Sequence, residues 1–152
     1  MDCFFYNTGG EDGMIDQPRP RYGMMIDQRF AVVSGSRQEY GELLRKLSPE
    51  DILLMYENGV GIVAVGRVLE HWNEVSHSDP VYYTPRELAG FDHKYEYRIA
   101  VDWFIDLSQS PISVKEAKER IGFISPQPLQ RIVKGRAKAE ALIDEIRTRH
   151  RR

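Results

Sequence analysis

Apolar and polar positions alternate most strictly between Tyr97 and Leu107. Tyr97, Ile99, Val101, Trp103, Ile105 and Leu107 fall on one parity, and Arg98, Ala100, Asp102, Phe104 and Asp106 on the other. That period of two predicts a half-buried strand with Trp103 in the core. The stretch DILLMYENGVGIVAVGRVLEHW, residues 51–72, carries two apolar runs broken at Glu57-Asn58-Gly59. It predicts a hairpin whose tight turn takes positive φ angles at Asn58-Gly59. Both strands are apolar on both faces around residues 62–65, which predicts a buried hairpin rather than an edge. Shorter strand signals stand at Phe4-Phe5-Tyr6 and at residues 30–33.

Helical signals fall between these strands. Ser36-Arg37-Gln38-Glu39 reads as a capping box, and Tyr40, Leu43, Leu44 and Leu47 follow at i, i+3, i+4 and i+7 until Ser48-Pro49. Thr84-Pro85-Arg86-Glu87 opens a short helix over 85–89, with proline at its first position. Ser113-Val114-Lys115-Glu116 caps a helix ending near Gly122. A last helix, 136–149, aligns Ala139, Leu142, Ile143 and Ile146. Residues 7–29 hold four glycines and both prolines of Pro18-Arg19-Pro20 and show no sustained period, so they predict a long loop. The order is β β α β β (α) β α (β) α. With no glycine-rich βα unit, it excludes a doubly wound sheet. The expectation is a single α+β domain over 1–152: a small, partly open barrel of about five to six strands with helices packed at its ends.

The chain has 152 residues, 41% hydrophobic and 29% charged, enough to bury about two-thirds of its unfolded surface. No apolar run approaches the roughly 20 residues that span a bilayer. The first residues, Met-Asp-Cys-Phe-Phe, lack the basic and apolar regions of a signal peptide. The lone Cys3 excludes an internal disulfide and fits a reducing compartment, so a cytoplasmic protein is expected. The net charge of −2 hides an asymmetry. Residues 131–152 carry eight Lys/Arg against three Asp/Glu, a net of +5, and leave −7 on the rest. A basic end, with a tail at 147–152, suits either phosphate or plain solvation.

Three stretches together resemble the PUA-like superfamily, especially its EVE and YTH branches. LLRKLSPEDILLMYENGVGIVAVGRV is similar to the family's helix, turn and two strands. YEYRIAVDWFIDLSQSPIS resembles the YTH strand in which a charged residue precedes tryptophan and a polar stretch leads to proline. PISVKEAKERIGFISPQPLQRI resembles the EVE ending, a proline-led helix followed by S-x-Q-P. These stretches cover residues 43–132. The resemblance implies a PUA-like barrel that docks DNA or RNA on a basic surface and takes one modified, typically methylated, base into a partly aromatic pocket. It implies no cofactor, no metal and no catalysis.

Carried onto this chain, the loop leaving the hairpin would supply Trp72, Tyr82, Tyr83, Leu88 and Phe91. The opposite wall would be Val33, Ser34, Gly35 and Ser36, with Asn7 at the base edge. YTH proteins place a tryptophan in that wall and this sequence has none, which favours an EVE-like pocket with smaller walls. Tyr82 and Tyr83 are adjacent, so in extended chain only one faces the pocket. Trp72 reads equally as pocket wall or structural plug. Arg19, Arg21, Arg37, Lys134, Arg136 and Lys138 are the candidate phosphate contacts, or ordinary surface cations. Two other readings stand beside this one. His71, Glu74, His77, Asp79 and His93, with Asp102 and Asp106, would serve a small metal-dependent nuclease, although their spacing matches no established ligand motif. A protein-interaction partner of a restriction or RNA-processing system is the third.

Overall fold

The computed structural model describes residues 1–8, 22–35, 43–72, 81–82 and 95–150. Its strands are β1 (Cys3–Asn7), β2 (Phe30–Gly35), β3 (Ile52–Glu57), β4 (Gly61–Val68), β5 (Val81–Tyr82), β6 (Tyr95–Asp106) and β7 (Leu129–Arg131). Its helices are α1 (Tyr22–Gln28), α2 (Val114–Ile121) and α3 (Arg136–His150), with a 3₁₀ turn at Leu43–Lys46. The sheet runs β2-β6-β4-β3-β1-β7, and β5 pairs β6 beside that path. Among the described residues β1 and β3 are the one parallel pair, and the other pairs are antiparallel. The result is the expected α+β, PUA-like, partly open barrel, a curled sheet with helices against it.

Curling gives the sheet two covered faces. Phe4, Tyr6, Leu53, Met55, Val68, Val101 and Trp103 fill the inner one with Trp72, Met25 and Leu44. Their strand neighbours Cys3, Phe5, Ile52, Leu54, Val65 and Ile105 face outward beneath α2 and α3. This is why the β3–β4 hairpin is apolar on both of its faces: it lies mid-sheet with both sides buried. The alternation in β6 places Trp103 inside, as its pattern predicts, with its indole N–H donating to the Phe30 carbonyl at 3.0 Å.

Two side chains close the curl where no ladder does. Phe30 and Val32 direct their free backbone groups away from β6. Trp103 takes the Phe30 carbonyl, and the Tyr6 hydroxyl takes both groups of Val32, accepting from its N–H at 2.9 Å and donating to its carbonyl. The Tyr6 ring stacks on Trp103 with 6.3 Å between centroids. Room for that indole comes from Gly66, at an irregularity in the β4–β6 register. A Cβ there would stand 2.5 Å from Trp103 Cε3 and 2.6 Å from Val101 Cγ1.

On the outer face, Ser113 caps α2 by accepting from the Glu116 N–H at 3.1 Å, and Gly122 ends the helix at φ 103°. α3 buries Ala139, Leu142, Ile143 and Ile146, as the sequence predicts. Arg120 joins the two helices through Glu145, which Arg149 also contacts. These cations hold the Glu145 carboxyl below its ordinary range.

The fold differs from the sequence reading in five places. Tyr22–Gln28 is a helix where a loop over 7–29 is expected; Tyr22, Met25 and Ile26 carry its apolar stripe, and Arg29 ends it at φ 60°. The helix expected around residues 40–47 is, in its described part, a tight 3₁₀ turn that buries Leu44. In the hairpin turn the positive φ falls at Gly59 and Gly61 and not at Asn58; the Val60 N–H closes it onto the Glu57 carbonyl at 3.0 Å. Val81–Tyr82 forms a strand inside a segment read as polar loop. The basic tail begins inside α3, which continues to His150. The short helix at 85–89 lies outside the described residues.

Three outcomes test this packing. Tyr6→Phe leaves the Val32 N–H buried without its partner and is expected to cost about 1–3 kcal/mol in denaturant unfolding, with native secondary structure kept. Gly66→Ala displaces the Trp103 ring and is expected to cost about 1–3 kcal/mol, with a shift in tryptophan emission; an unchanged spectrum and midpoint would contradict the close approach. Burial pushes the Cys3 thiol from 9.0 up to about 12. The folded state therefore holds a proton that the unfolded chain releases, and stability falls as pH rises from about 9 toward 12. Iodoacetamide at pH 8.5 is expected to label Cys3 only after denaturation.

Candidate nucleic-acid interface

β6 is longer than its partners, and its first residues leave the body of the sheet. There β2 lies on one side and β5 on the other. Ser34 and Val81 both pair with Glu96, and Gly35 and Tyr82 both pair with Tyr95. The register thus brings two segments of the expected pocket, Val33-Ser34-Gly35 and Tyr82, to one three-stranded ribbon, although 47 residues separate Gly35 from Tyr82 in the chain. Val33 is buried in the inner core.

Trp72 is 5% exposed and packs into that same inner core. The Arg45 guanidinium lies 5.3 Å from its ring centroid, so the 3₁₀ turn and the hairpin exit are joined by a cation–π contact. Val68, four residues before Trp72, pairs with Val101 of β6. Trp72 therefore leaves the sheet at the end of the hairpin opposite its turn.

Asn7 sits at the turn end, where it pairs with Tyr56. Its side-chain amide donates to the Ser125 carbonyl at 2.8 Å and to Asn58 Oδ1 at 3.2 Å, and its backbone N–H donates to the Pro128 carbonyl at 3.1 Å. The S-x-Q-P segment is stitched to the end of β1 in this way. Ser125 Oγ donates to Gln130 Oε1 and accepts from the Gln127 N–H at 3.2 Å. Asn7, Glu57 and Ser125 are all buried, and burial together with the Glu57 and Asp106 charges raises the Tyr22 hydroxyl above its ordinary range. This is a polar node next to the hairpin turn. The strands hold Asn7 and Trp72 at opposite ends of the hairpin and do not bring them into one cluster among the described residues.

The candidate cations divide. Lys134 and Lys138 are exposed, line one cavity of about 590 Å³ between α2, β7 and α3, and make no ion pair among the described residues. Arg136 faces elsewhere. It pairs with Glu140 at 2.9 Å and with Asp2 at 3.5 Å, and it donates to the Met1 carbonyl. These interactions raise its guanidinium further. Sequence reasoning missed Arg131, which lines the Lys134 cavity; its place in a strand edge is fixed only by the β1–β7 pairing. Ser36, Tyr83, Leu88, Phe91, Arg19, Arg21 and Arg37 lie outside the described residues.

Among the described residues no group of three His, Cys, Asp or Glu side chains could hold a metal ion. Asp102 is 3.9 Å from Arg67, and Asp106 accepts from the Ser108 N–H at 2.8 Å. Glu74, His77, Asp79 and His93 lie outside the described residues. No helix among the described residues is long and apolar enough to cross a membrane.

No protein-family model matches the sequence, and no curated protein matches it. Solved structures do match along nearly the whole chain. A hypothetical protein from Leishmania major superposes with a TM-score of 0.55 at 11% identity, covering 97% of each chain. A Pseudomonas putida protein gives 0.55 at 13% identity, covering 95% of this chain and 99% of its own. Human THYN1, solved in complex with DNA containing 5-methylcytosine, gives 0.52 at 10% identity over 96% of this chain and 98% of its own. At these identities the likeness is one of fold.

Proposed function

We propose that this protein is an EVE-like, YTH-related nucleic-acid-binding domain that reads a modified base in DNA or RNA. The observation that carries the reading is the β2–β6–β5 ribbon, where the register joins Ser34 and Gly35 to Tyr82 across β6. The family resemblance names these same two segments as walls of one pocket. The fold shared with THYN1, a protein solved on methylated-cytosine DNA, supports the same reading. In this reading Tyr82 stacks on the flipped base, with Tyr83, Leu88 and Phe91 completing the pocket and Ser34 to Ser36 forming its wall. Trp72 backs the pocket from the core. Asn7 holds the S-x-Q-P segment in shape, and Arg19, Arg21, Arg37, Lys134 and Lys138 meet phosphate. No cofactor is needed, because discrimination comes from stacking and edge hydrogen bonds.

Fluorescence anisotropy on short labelled DNA and RNA strands, with and without a methylated cytosine or adenine, tests this directly. One modified base is expected to bind at least about tenfold tighter than its unmodified form, and to keep that ratio when salt is raised. Tyr82→Ala is expected to reduce the ratio toward one. Trp72→Phe, which keeps an aromatic plug, is expected to retain it. Equal affinity for modified and unmodified strands at both salt concentrations would refute base reading.

A further inference from the structure

β7 ends the sheet: it pairs with β1 on one side, and no described strand pairs its other side. A groove lies on each side of that edge. The cavity holding Lys134 and Lys138 is on the outer side, and a second one of about 420 Å³ lies between β7 and the 3₁₀ turn. Gln130 and Arg131 line both, so the two grooves flank the same two residues of the strand. Lys46 and Gln127 complete the inner groove.

Among the described residues the charge lining these grooves is of one sign: Lys46, Arg131, Lys134 and Lys138 line them and no carboxylate does. Arg131 is tied to Asp2 at 3.5 Å and lies over the Phe4 ring, while the three lysines have no ion pair among the described residues. The cavity on the other side of β1 makes the contrast. There Arg67, Arg136 and Arg147 meet Asp2, Glu50, Glu140 and Asp144, and the charges compensate one another. Between the unpaired cations lies apolar surface, with Val133 74% exposed and Phe123 half-buried. Duplex DNA shows phosphates outside and hides its base faces, so it would leave Val133 and Phe123 facing water. A single strand offers phosphate to the lysines and sugar and base faces to the apolar floor.

We infer that the β7 edge, with Lys46, Arg131, Lys134 and Lys138 along it, is a track for the backbone of one extended polynucleotide strand. The two glutamines contact it without charge. This rests on the nucleic-acid reading above but concerns a surface separate from the base pocket, so loss of the track and loss of base reading give different results.

The test is the triple variant Lys46→Gln, Lys134→Gln, Lys138→Gln, with Lys115→Gln on the exposed side of α2 as charge control. Binding to a labelled single strand is measured from 50 to 300 mM KCl, alongside a duplex of the same length. Each lost phosphate contact lowers the slope of log affinity against log salt by about 0.7, so the triple variant is expected to lose about 2. Its single-strand affinity is expected to fall roughly tenfold or more at low salt, while the preference for a modified base stays at the wild-type ratio. Lys115→Gln is expected to match wild type. An unchanged slope overturns the track and leaves the grooves to another ligand, such as an acidic peptide added to the β7 edge. An equal loss on duplex overturns the single-strand assignment. Loss of the modified-base ratio with the slope intact places these lysines in the pocket and overturns the separation argued here. A wild-type protein that binds no oligonucleotide removes both this inference and the reading it rests on.

Discussion

The curl of this sheet depends on one phenol. Among the described residues no strand pairs with the outer edge of β2, and a buried N–H or carbonyl left bare there would cost about as much as a lost hydrogen bond. Tyr6 answers both groups of Val32 from β1, and Trp103 answers Phe30 from β6. Both rings belong to the inner core, so the bonds that satisfy the edge also position the largest side chains inside the curl. Gly66 is the counterpart of this arrangement. With Trp103 committed to the Phe30 carbonyl, the residue beneath its ring can have no side chain.

Closing the seam by side chains separates two tasks. The outer face is covered by α2 and α3, with the Arg120–Glu145 link joining them. The ribbon that joins Ser34, Gly35 and Tyr82 projects past the β4 pairing at the start of β6, because β6 is longer than its pairing with β4.

Most of the fold is legible in the sequence because it is written in local periods. The alternation of β6, the doubly apolar hairpin, the Ser113 cap and the α3 stripe all appear where their patterns put them. Helix α1 was hidden because Gly23 and the polar residues around it mask a stripe of only three apolar positions. The site was less legible for a different reason. No pattern within residues 30–35 or 81–82 says that both will flank Tyr95 and Glu96, and no local signal puts Arg131 and Lys46 on one groove. These are long-range facts, fixed by register, and a single sequence carries them only through resemblance to a family.

The split among the basic residues near the chain end shows how such a fact changes a functional reading. Residues 131–152 look like one block of positive charge, yet their cations answer to different neighbours. Arg149 is held by Glu145 one turn earlier, Arg147 covers the Phe104 ring, and Arg136 is shared by Asp2 and Glu140. Each of these is neutralised or stacked, and Arg136 and Arg147 also tie α3 to the sheet through Asp2 and Phe104. Lys134 and Lys138 are not. They stand at the start of α3, whose first turn holds no acidic residue, at the end of the helix where the backbone dipole favours anions and disfavours cations by about 0.3–1 kcal/mol each. A sequence chosen for stability alone would place acids there. Two lysines without compensation, beside the arginine of β7 and the Lys46 of the facing 3₁₀ turn, therefore cost the fold some stability, and it is on this uncompensated charge that the strand-track proposal rests.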